Sequence, residues 1–142
     1  MNEWNDAAKQ RMAELGTLFH LTKGTCVTED QKNEMRYLHE LEHADDVRRF
    51  GDTLDWLTQR IYYHDPIGLV PFEIPQNEYD CEARMILRDL SIRGRNLKEV
   101  LEVIHEVFVI QFDLPSAGSI DRACYVDLAK ELIERTSEWL GK

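Results

Sequence analysis

The feature that most constrains the fold is the segment from His64 to Asp80, which contains three of the four prolines of the chain. Proline fixes φ and has no backbone N–H, so it interrupts a helix or a central strand. On both sides of this segment, apolar residues recur at the spacing of an amphipathic helix. We therefore predict a proline-rich crossing, residues 64–80, between two helices.

The crossing begins with a sequence typical of a tight turn. In Asp65-Pro66-Ile67-Gly68, proline supplies the φ angle of the second turn position and glycine suits the fourth. Asp65 can accept hydrogen bonds from nearby backbone N–H groups. Because a residue before proline is disfavoured in a helix, a helix arriving from Asp52 is predicted to end near His64.

The far end of the crossing carries a polar and acidic cluster. We predict that Asn77 caps the next helix and that Glu78 and Asp80 favour its positive end. Alternatively, Asp65, Glu78, Tyr79 and Asp80 converge to bind a divalent cation or to share a proton. We favour the local roles, since turn closure and capping account for these residue types.

Two motifs in this region resemble those of a known family. The chain resembles the YugE-like family of small bacterial proteins in two places. The first is DPIGL followed after a short gap by EYDCEARMIL, and the second is LKEVLEVIHEVFVIQFDLP followed by CYVDLAKELI. The resemblance covers about residues 53–139. It implies a compact helical core without an assigned activity, and residues 1–51 lie outside it.

Periodicity and capping patterns predict an all-α array of five or six helices, with the crossing between the third and the fourth. Residues 1–51 should form a helical extension that packs on a core of residues 52–142. The first predicted helix carries the apolar pattern from Trp4 to Phe19, and the second runs from Glu29 to Phe50 after the Thr28/Gln31 capping box. The third runs from Asp52, its predicted cap, to His64, and the fourth runs from Glu78 to Leu90. A central fifth helix is capped by Asn96 with Glu99, and the last helix is capped by Ser119 and carries Tyr125, Leu128, Leu132, Trp139 and Leu140. Breaks are predicted at Arg93–Arg95 and at a loop from Asp113 to Ser119.

Composition restricts the class of function. The formal net charge of the 142 residues is −10, and 43% of them are hydrophobic. An acidic surface repels phosphate backbones and anionic lipids, so we expect no nucleic-acid or membrane partner. The polar start is unlike a signal peptide, so we expect a cytoplasmic protein. Cys26, Cys81 and Cys124 form no disulfide or zinc pattern, so we expect reduced cysteines and no cofactor.

One motif suggests metal chemistry. His39-Glu40-Leu41-Glu42-His43 matches His-Glu-x-x-His, which places two histidines on one helix face and a glutamate beside a zinc-bound water. The charged Glu42 and the lack of a third ligand at a familiar spacing argue against it. A solvated helix face with ion pairs four residues apart is the alternative that we prefer.

Other candidate groups have simpler explanations. His105 lies among apolar residues and is expected to be a hydrogen-bonded boundary histidine. His64 beside Asp65 resembles an acid–base pair but has no nucleophile near it in the sequence. The basic cluster of Arg84, Arg88, Arg93 and Arg95 is expected to pair with carboxylates of the chain rather than with nucleic acid.

Two classes of function remain at this point. The first is a non-enzymatic interaction module, immunity-like or regulatory, whose acidic face binds a basic protein; Glu42, Asp45 and Asp46 on the second helix are the candidate contacts. The second is a small metal-dependent hydrolase that uses His39, Glu40 and His43. We favour the first over an enzyme, and the sequence leaves a homodimer open.

Overall fold

The computed structural model describes residues 3–93 and 96–140, with side chains as far as Thr136. Gly94 and Arg95, and the side chains of Trp139 and Leu140, lie outside the described part, so the predictions for them are untested. The described residues contain helices and no strand, which confirms the all-α prediction. The helices are α1 (Asp6–Thr22), α2 (Glu29–Phe50), α3 (Asp52–His64), α4 (Asp80–Leu90), α5 (Leu97–Phe112), α6 (Leu114–Ala117) and α7 (Ala123–Leu140), with a 3-10 turn at Val70–Phe72 in the crossing.

The chain divides into two units, residues 1–49 and residues 50–142. The boundary predicted from the sequence, between residues 51 and 52, lies two residues after the observed boundary between residues 49 and 50. Among the described residues, no helix is both long enough and apolar enough to cross a bilayer.

The first unit is built on α1 and most of α2. Asn5 caps α1, since its Oδ1 accepts a 2.9 Å hydrogen bond from the backbone N–H of Ala8. The helix ends where Lys23 adopts a left-handed conformation at φ 52°. Arg11 of α1 forms an ion pair with Glu34 of α2. The buried core is small and consists of Ala8, Leu15 and Leu38, with Trp4, Met12, Met35 and Leu41 packed against it.

The predicted capping box at the start of α2 is confirmed. The side chain of Gln31 accepts a 2.9 Å hydrogen bond from the N–H of Thr28, and Thr28 Oγ1 accepts one of 3.1 Å from the N–H of Gln31. The predicted limits of the helix, Glu29 and Phe50, are also observed. This helix could be located from sequence because both of its boundaries are set by neighbouring residues.

The second unit is built around four long helices. Helix α3 packs on α4 and α7, and α5 packs on α4, α6 and α7. Five residues of α5 are buried, which agrees with its predicted central place: Val100, Val103, Ile104, Val107 and Phe108. Asn96 caps this helix as predicted, because its Oδ1 accepts a 2.9 Å hydrogen bond from the N–H of Glu99.

An aromatic cluster forms the centre of this core. The ring centre of Phe108 lies 6.0 Å from that of Tyr79 and 5.8 Å from that of Tyr125. All three side chains are fully buried. The hydroxyl of Tyr125 donates a hydrogen bond to the carbonyl of Ala117, which holds α6 against the core, and burial raises the pKa of Tyr125 to about 12.

Two predicted helix caps are wrong. Gly51, rather than Asp52, is the N-cap of α3, and Asp52 is the first helical residue, where a carboxylate still favours the positive helix end. Ser119 does not cap α7, which begins at Ala123; its hydroxyl donates to Asp121 instead. The predicted loop from 113 to 119 contains the short helix α6.

Candidate functional site

The crossing is organised by the side chain of Asp65. Its Oδ1 accepts hydrogen bonds from the backbone N–H of Leu69 at 2.8 Å and from the hydroxyl of Tyr79 at 2.7 Å. Its Oδ2 accepts one from the N–H of Val70 at 3.1 Å. The backbone of Asp65 is left-handed, with φ at 47°, a conformation that aspartate tolerates better than most residues. One carboxylate therefore connects the start of the crossing to its far end.

The turn prediction at the start of the crossing is confirmed. Helix α3 ends at His64, and the N–H of Gly68 donates a 3.0 Å hydrogen bond to the carbonyl of Asp65, with Pro66 and Ile67 between them. Gly68 has a φ of 71°, which explains why glycine stands at this position. The contacts of the Asp65 carboxylate extend beyond the turn, to residues 69, 70 and 79.

The prediction for the far end of the crossing is partly wrong. Asn77 does not cap α4; Tyr79 is the N-cap residue and no side chain accepts a cap hydrogen bond. The N–H of Asp80 donates to the backbone carbonyl of Asn77 at 3.0 Å, so a backbone turn takes the place of the expected side-chain cap. Asp80 lies in the first helical turn, as predicted, and forms a 3.1 Å ion pair with Arg84.

Of the four residues that were candidates to converge here, Tyr79 and Asp65 do meet. Burial raises the pKa of Tyr79, and its hydrogen bond to Asp65 raises it further. Glu78 is exposed, and Asp80 is engaged with Arg84. The described residues contain no group of three His, Cys, Asp or Glu side chains that could together hold a metal ion.

A polar groove lies between α3 and the end of the crossing. We call it the crossing groove; its volume is about 190 Å³. Its lining consists of two carboxylates and four neutral polar side chains: Asp55, Asp80, Thr58, Gln59, Gln76 and Asn77. Among the described residues that line it there is no lysine or arginine.

Further exposed carboxylates lie on the same two segments. Asp52 is one turn before Asp55 on α3, and Glu73 and Glu78 belong to the crossing. Within the described part of the chain, none of these three forms an ion pair. Residues 52–80 contain six acidic residues and a single arginine, whereas α2 contains seven acidic and four basic residues. Asp80 is paired with Arg84 and Asp65 is hydrogen-bonded within the crossing, which leaves Asp52, Asp55, Glu73 and Glu78 as exposed carboxylates without an ion pair among the described residues. On α2, Glu29, Glu34 and Asp45 are already in ion pairs.

The predicted docking residues on α2 lie in less accessible places than expected. Asp46 is only 1% exposed. The side chain of Asp45 is 11% exposed and forms ion pairs with Arg48 and Arg49. Glu42 is half-buried. The pattern of charges along the helix gave no sign of this burial, since acidic residues at these positions are usually solvated.

The histidines of the His-Glu-x-x-His motif lie on the solvent side of α2. His39, Glu40 and His43 are all exposed. Zinc-protease helices carry this motif at a site shielded from bulk water, so this placement does not support the hydrolase hypothesis. Zinc binding that depends on His39 remains its test.

The histidine predictions have different outcomes. Nε2 of His105 lies 2.8 Å from the carbonyl of Gly118, which confirms a hydrogen-bonded boundary residue. His64 does not pair with the carboxylate of Asp65; its Nε2 is hydrogen-bonded to Glu131 of α7. Arg93 forms ion pairs with Glu102 and Glu106, as expected for the basic cluster.

Glu131 connects α7 to α3 through two bonds. Arg60 donates from Nε to Oε1, and His64 is bonded to Oε2. Burial alone raises the pKa of Glu131, but the hydrogen bonds from Arg60 and His64 outweigh it and lower the pKa. Sequence reasoning missed this residue because its partners lie 67 and 71 positions away and no local pattern links them.

A second groove lies beside Glu131. We call it the Trp56 groove; it has a volume of about 230 Å³ and is lined by Trp56, Glu131, Glu134 and Arg135. The guanidinium carbon of Arg135 lies 5.5 Å from the ring centre of Trp56, within cation–π distance. Trp56 belongs to α3, the helix that also supplies Asp55, Thr58 and Gln59 to the crossing groove.

Glu82 is the one buried polar side chain in the described residues with an oxygen that has no hydrogen-bond partner. The residue lies on α4, is 6% exposed, and its Oε2 makes no hydrogen bond. Burial raises its pKa, and the neighbouring carboxylates of Glu78 and Asp80 add to the effect.

Comparison of the chain with known protein families, with curated proteins and with solved structures found no match. The geometry of the chain itself is therefore the basis for the function proposed below.

Proposed function

We propose that this protein is a non-enzymatic interaction module, immunity-like or regulatory, that binds a basic protein through an acidic face. The observation that carries the proposal is the crossing groove. Asp55 and Asp80 line it without a lysine or arginine among its described lining residues. Asp80 is paired with Arg84, but Asp55 and the exposed carboxylates of Asp52, Glu73 and Glu78 form no ion pair among the described residues. A surface of this kind attracts cationic side chains and speeds association with a basic partner.

The proposal moves the docking face from α2 to the crossing. On α2 the carboxylates of Glu34 and Asp45 are already paired with arginines of the same unit, and Asp46 is buried. The crossing is also a rigid support, because Asp65 fixes both of its ends. A surface that is ordered before binding loses less conformational entropy on association.

Membership of the YugE-like family, and a location in the bacterial cytoplasm, are part of the same proposal. The family and its bacterial origin rest on the motifs DPIGL and EYDCEARMIL, and the cytoplasmic location rests on three cysteines that form no disulfide pattern. The order in which these motifs occur, a turn and then the first turns of a helix, agrees with Asp65–Gly68 and α4.

The experiment compares two variants with the same change in charge. The crossing variant carries Asp55→Asn, Glu73→Gln and Glu78→Gln. The control variant carries Glu29→Gln, Asp30→Asn and Glu40→Gln, all exposed on α2. Proteins captured from the source cell at low salt are identified, and the affinity of each purified candidate is measured by calorimetry over a range of salt concentrations.

We expect a basic partner whose affinity falls as salt rises, is strongly reduced by the crossing variant and is preserved in the control variant. Equal losses in both variants would show that only the overall charge matters. Binding that persists at high salt and in the crossing variant would rule out the proposed face.

A further inference from the structure

The half-buried side chain of Trp56 already has a guanidinium group over its ring. Arg135 of α7 lies 5.5 Å from the ring centre, and both residues line the Trp56 groove. Arg135 is exposed, and the contact that the structure gives its guanidinium is the one with the Trp56 ring. Contact with the indole ring is therefore what holds the guanidinium in this place.

We propose that the Trp56 groove is the acceptor for an arginine side chain of the basic partner, with Arg135 as an internal occupant that the incoming arginine displaces. This inference rests on the proposed function and names the side chain that the partner must supply. The groove supplies an aromatic face on which a guanidinium group can stack, and two carboxylates line it: Glu131, which is bonded to Arg60 and His64, and Glu134.

The groove is held in shape before binding. Both carboxylate oxygens of Glu131 are engaged, one by Arg60 and the other by His64, so this wall cannot swing away. Trp56 packs against the main hydrophobic core. In contrast, Arg135 is a long side chain whose order depends on one contact worth about 0.5–1 kcal/mol at an exposed site. Displacing Arg135 should therefore cost less than moving Glu131 or Trp56.

The location of the groove agrees with a partner bound at the crossing. Asp55 and Trp56 are adjacent residues of α3, and they line different grooves. Adjacent helical residues differ by about 1.5 Å in height and point about 100° apart, so the two grooves flank one helix. A partner segment lying across α3 reaches both grooves.

Arginine is favoured over lysine at this site for a geometric reason. A guanidinium is planar and weakly hydrated, so it can stack on indole and bond a carboxylate at its edge at the same time. An ammonium group is a compact, strongly hydrated charge and gains less from the ring. The acceptor should therefore discriminate by shape as well as by charge.

The test uses three short peptides and the full-length protein. The probes are acetyl-Gly-Arg-Gly-amide, the same peptide with lysine, and the same peptide with citrulline, which has the shape of arginine without its charge. Binding is followed by the NMR shift of the Trp56 indole N–H, assigned by comparison with Trp56→Phe. We expect the arginine peptide to shift this signal most, the lysine peptide less, and the citrulline peptide least.

Removing the internal occupant is the decisive change. Arg135→Ala should tighten binding of the arginine peptide by about two- to fivefold, the factor that corresponds to a contact of about 0.5–1 kcal/mol. Lys130→Ala is the matched control, since it removes an exposed cation from the same helix outside the groove. An equal effect of both substitutions, or weaker binding in Arg135→Ala, would overturn the inference.

Two comparisons separate this inference from the proposed function. If the crossing variant loses the partner while Arg135→Ala leaves both peptide and partner affinities unchanged, the acidic face stands and the Trp56 acceptor fails. If the crossing variant keeps the partner, the proposed face fails whatever the peptides show. Trp56→Phe should also lose binding of the arginine peptide, since it removes the indole ring. Should Trp56→Phe not fold, Glu134→Gln is the loss-of-binding variant, and its melting curve serves as the control for folding.

Discussion

The hydroxyl of Tyr79 donates a 2.7 Å hydrogen bond to Oδ1 of Asp65, across fourteen residues of the proline-rich crossing. Tyr79 is fully buried, and its ring packs edge-on against Phe108 at the centre of the core. The contact therefore joins the surface turn of the crossing to the central aromatic cluster. It is the reason that a long segment with little regular structure keeps a defined course.

The first prediction concerns Asp65. Replacement by alanine leaves three donors without their acceptor, and alanine tolerates the left-handed backbone at a φ of 47° less well than aspartate does. We expect a loss of stability of about 2–3 kcal/mol, since unpaired buried donors cost about 1–3 kcal/mol. Asp65→Asn, which tolerates this backbone and keeps one acceptor oxygen, should lose less. Tyr79→Phe, which removes one hydrogen bond, should lose about 1 kcal/mol.

Urea denaturation of these three variants and the wild type measures the free energy of unfolding that each hydrogen bond contributes. Wild type should be the most stable and Asp65→Ala the least, with Tyr79→Phe and Asp65→Asn between them. A stability of Asp65→Ala equal to or above that of the wild type would mean that the residue serves a site at the expense of the fold.

A second prediction concerns Glu82. The pKa of Glu82 is raised in the folded state, so the folded protein favours the protonated carboxyl group. The free energy of unfolding is therefore highest below the unfolded-state pKa and falls as the pH rises through the folded-state pKa. Glu82→Met removes the buried carboxylate and should stabilise the protein at pH 7 by at least about 1 kcal/mol. The gain should shrink at pH 4.

Glu40→Met is the control for Glu82→Met, because Glu40 is an exposed glutamate of α2 and is not among the groups that raise the pKa of Glu82. Chemical denaturation at pH 4 and pH 7 should show little change in this variant. A destabilised Glu82→Met would indicate that the carboxylate has a bonding role in the folded state.

The third prediction concerns the acid side of the stability profile. The pKa of Glu131 is lowered by its bonds to Arg60 and His64, so its contribution is present above the unfolded pKa and is lost as the pH falls through the folded pKa. Glu131→Gln should lower the melting temperature at pH 7 and flatten the loss of stability on acidification. Thermal melts between pH 3 and pH 7 measure both. Equal slopes in wild type and variant would show that the network does not couple folding to protons.

A fourth prediction corrects the expectation for α2. If Glu42, Asp45 and Asp46 were exposed docking contacts, their reversal to lysine would spare the fold, but Asp46 is 1% exposed and Asp45 forms ion pairs with two arginines. Burying a lysine and removing these pairs should destabilise the protein by several kcal/mol. Glu40→Lys, at an exposed position of the same helix, should be nearly neutral. The melting temperatures of the triple-lysine variant and of Glu40→Lys, each compared with the wild type, test this prediction.

Sequence reasoning succeeded where structure is set by neighbouring residues. The capping box of Thr28 and Gln31, the cap at Asn96 and the turn at Asp65–Gly68 are contacts over three residues. It failed at Asn77 because the backbone carbonyl, rather than the side chain, receives the N–H of Asp80. Both options satisfy the same donor, and composition does not distinguish between them.

The candidate site was harder to predict than the fold. Asp55 was not singled out, because an acidic residue in the first turn of a helix needs no further explanation. The Trp56 groove depends on Arg135, which is distant in sequence and belongs to another helix. Such pairings follow from the packing of α3 against α7, which short-range patterns do not encode.

The bond between Tyr79 and Asp65 has a consequence for how the chain can be divided. Phe72, near the middle of the crossing, is 78% exposed, so chymotrypsin can reach the backbone after it. A cut there leaves Asp65 with its turn on one fragment and Tyr79 on the other, while α3 and α4 still share a core. The two fragments should remain associated after cleavage. We also expect residues 1–72 and residues 73–142 to assemble when they are expressed as separate chains.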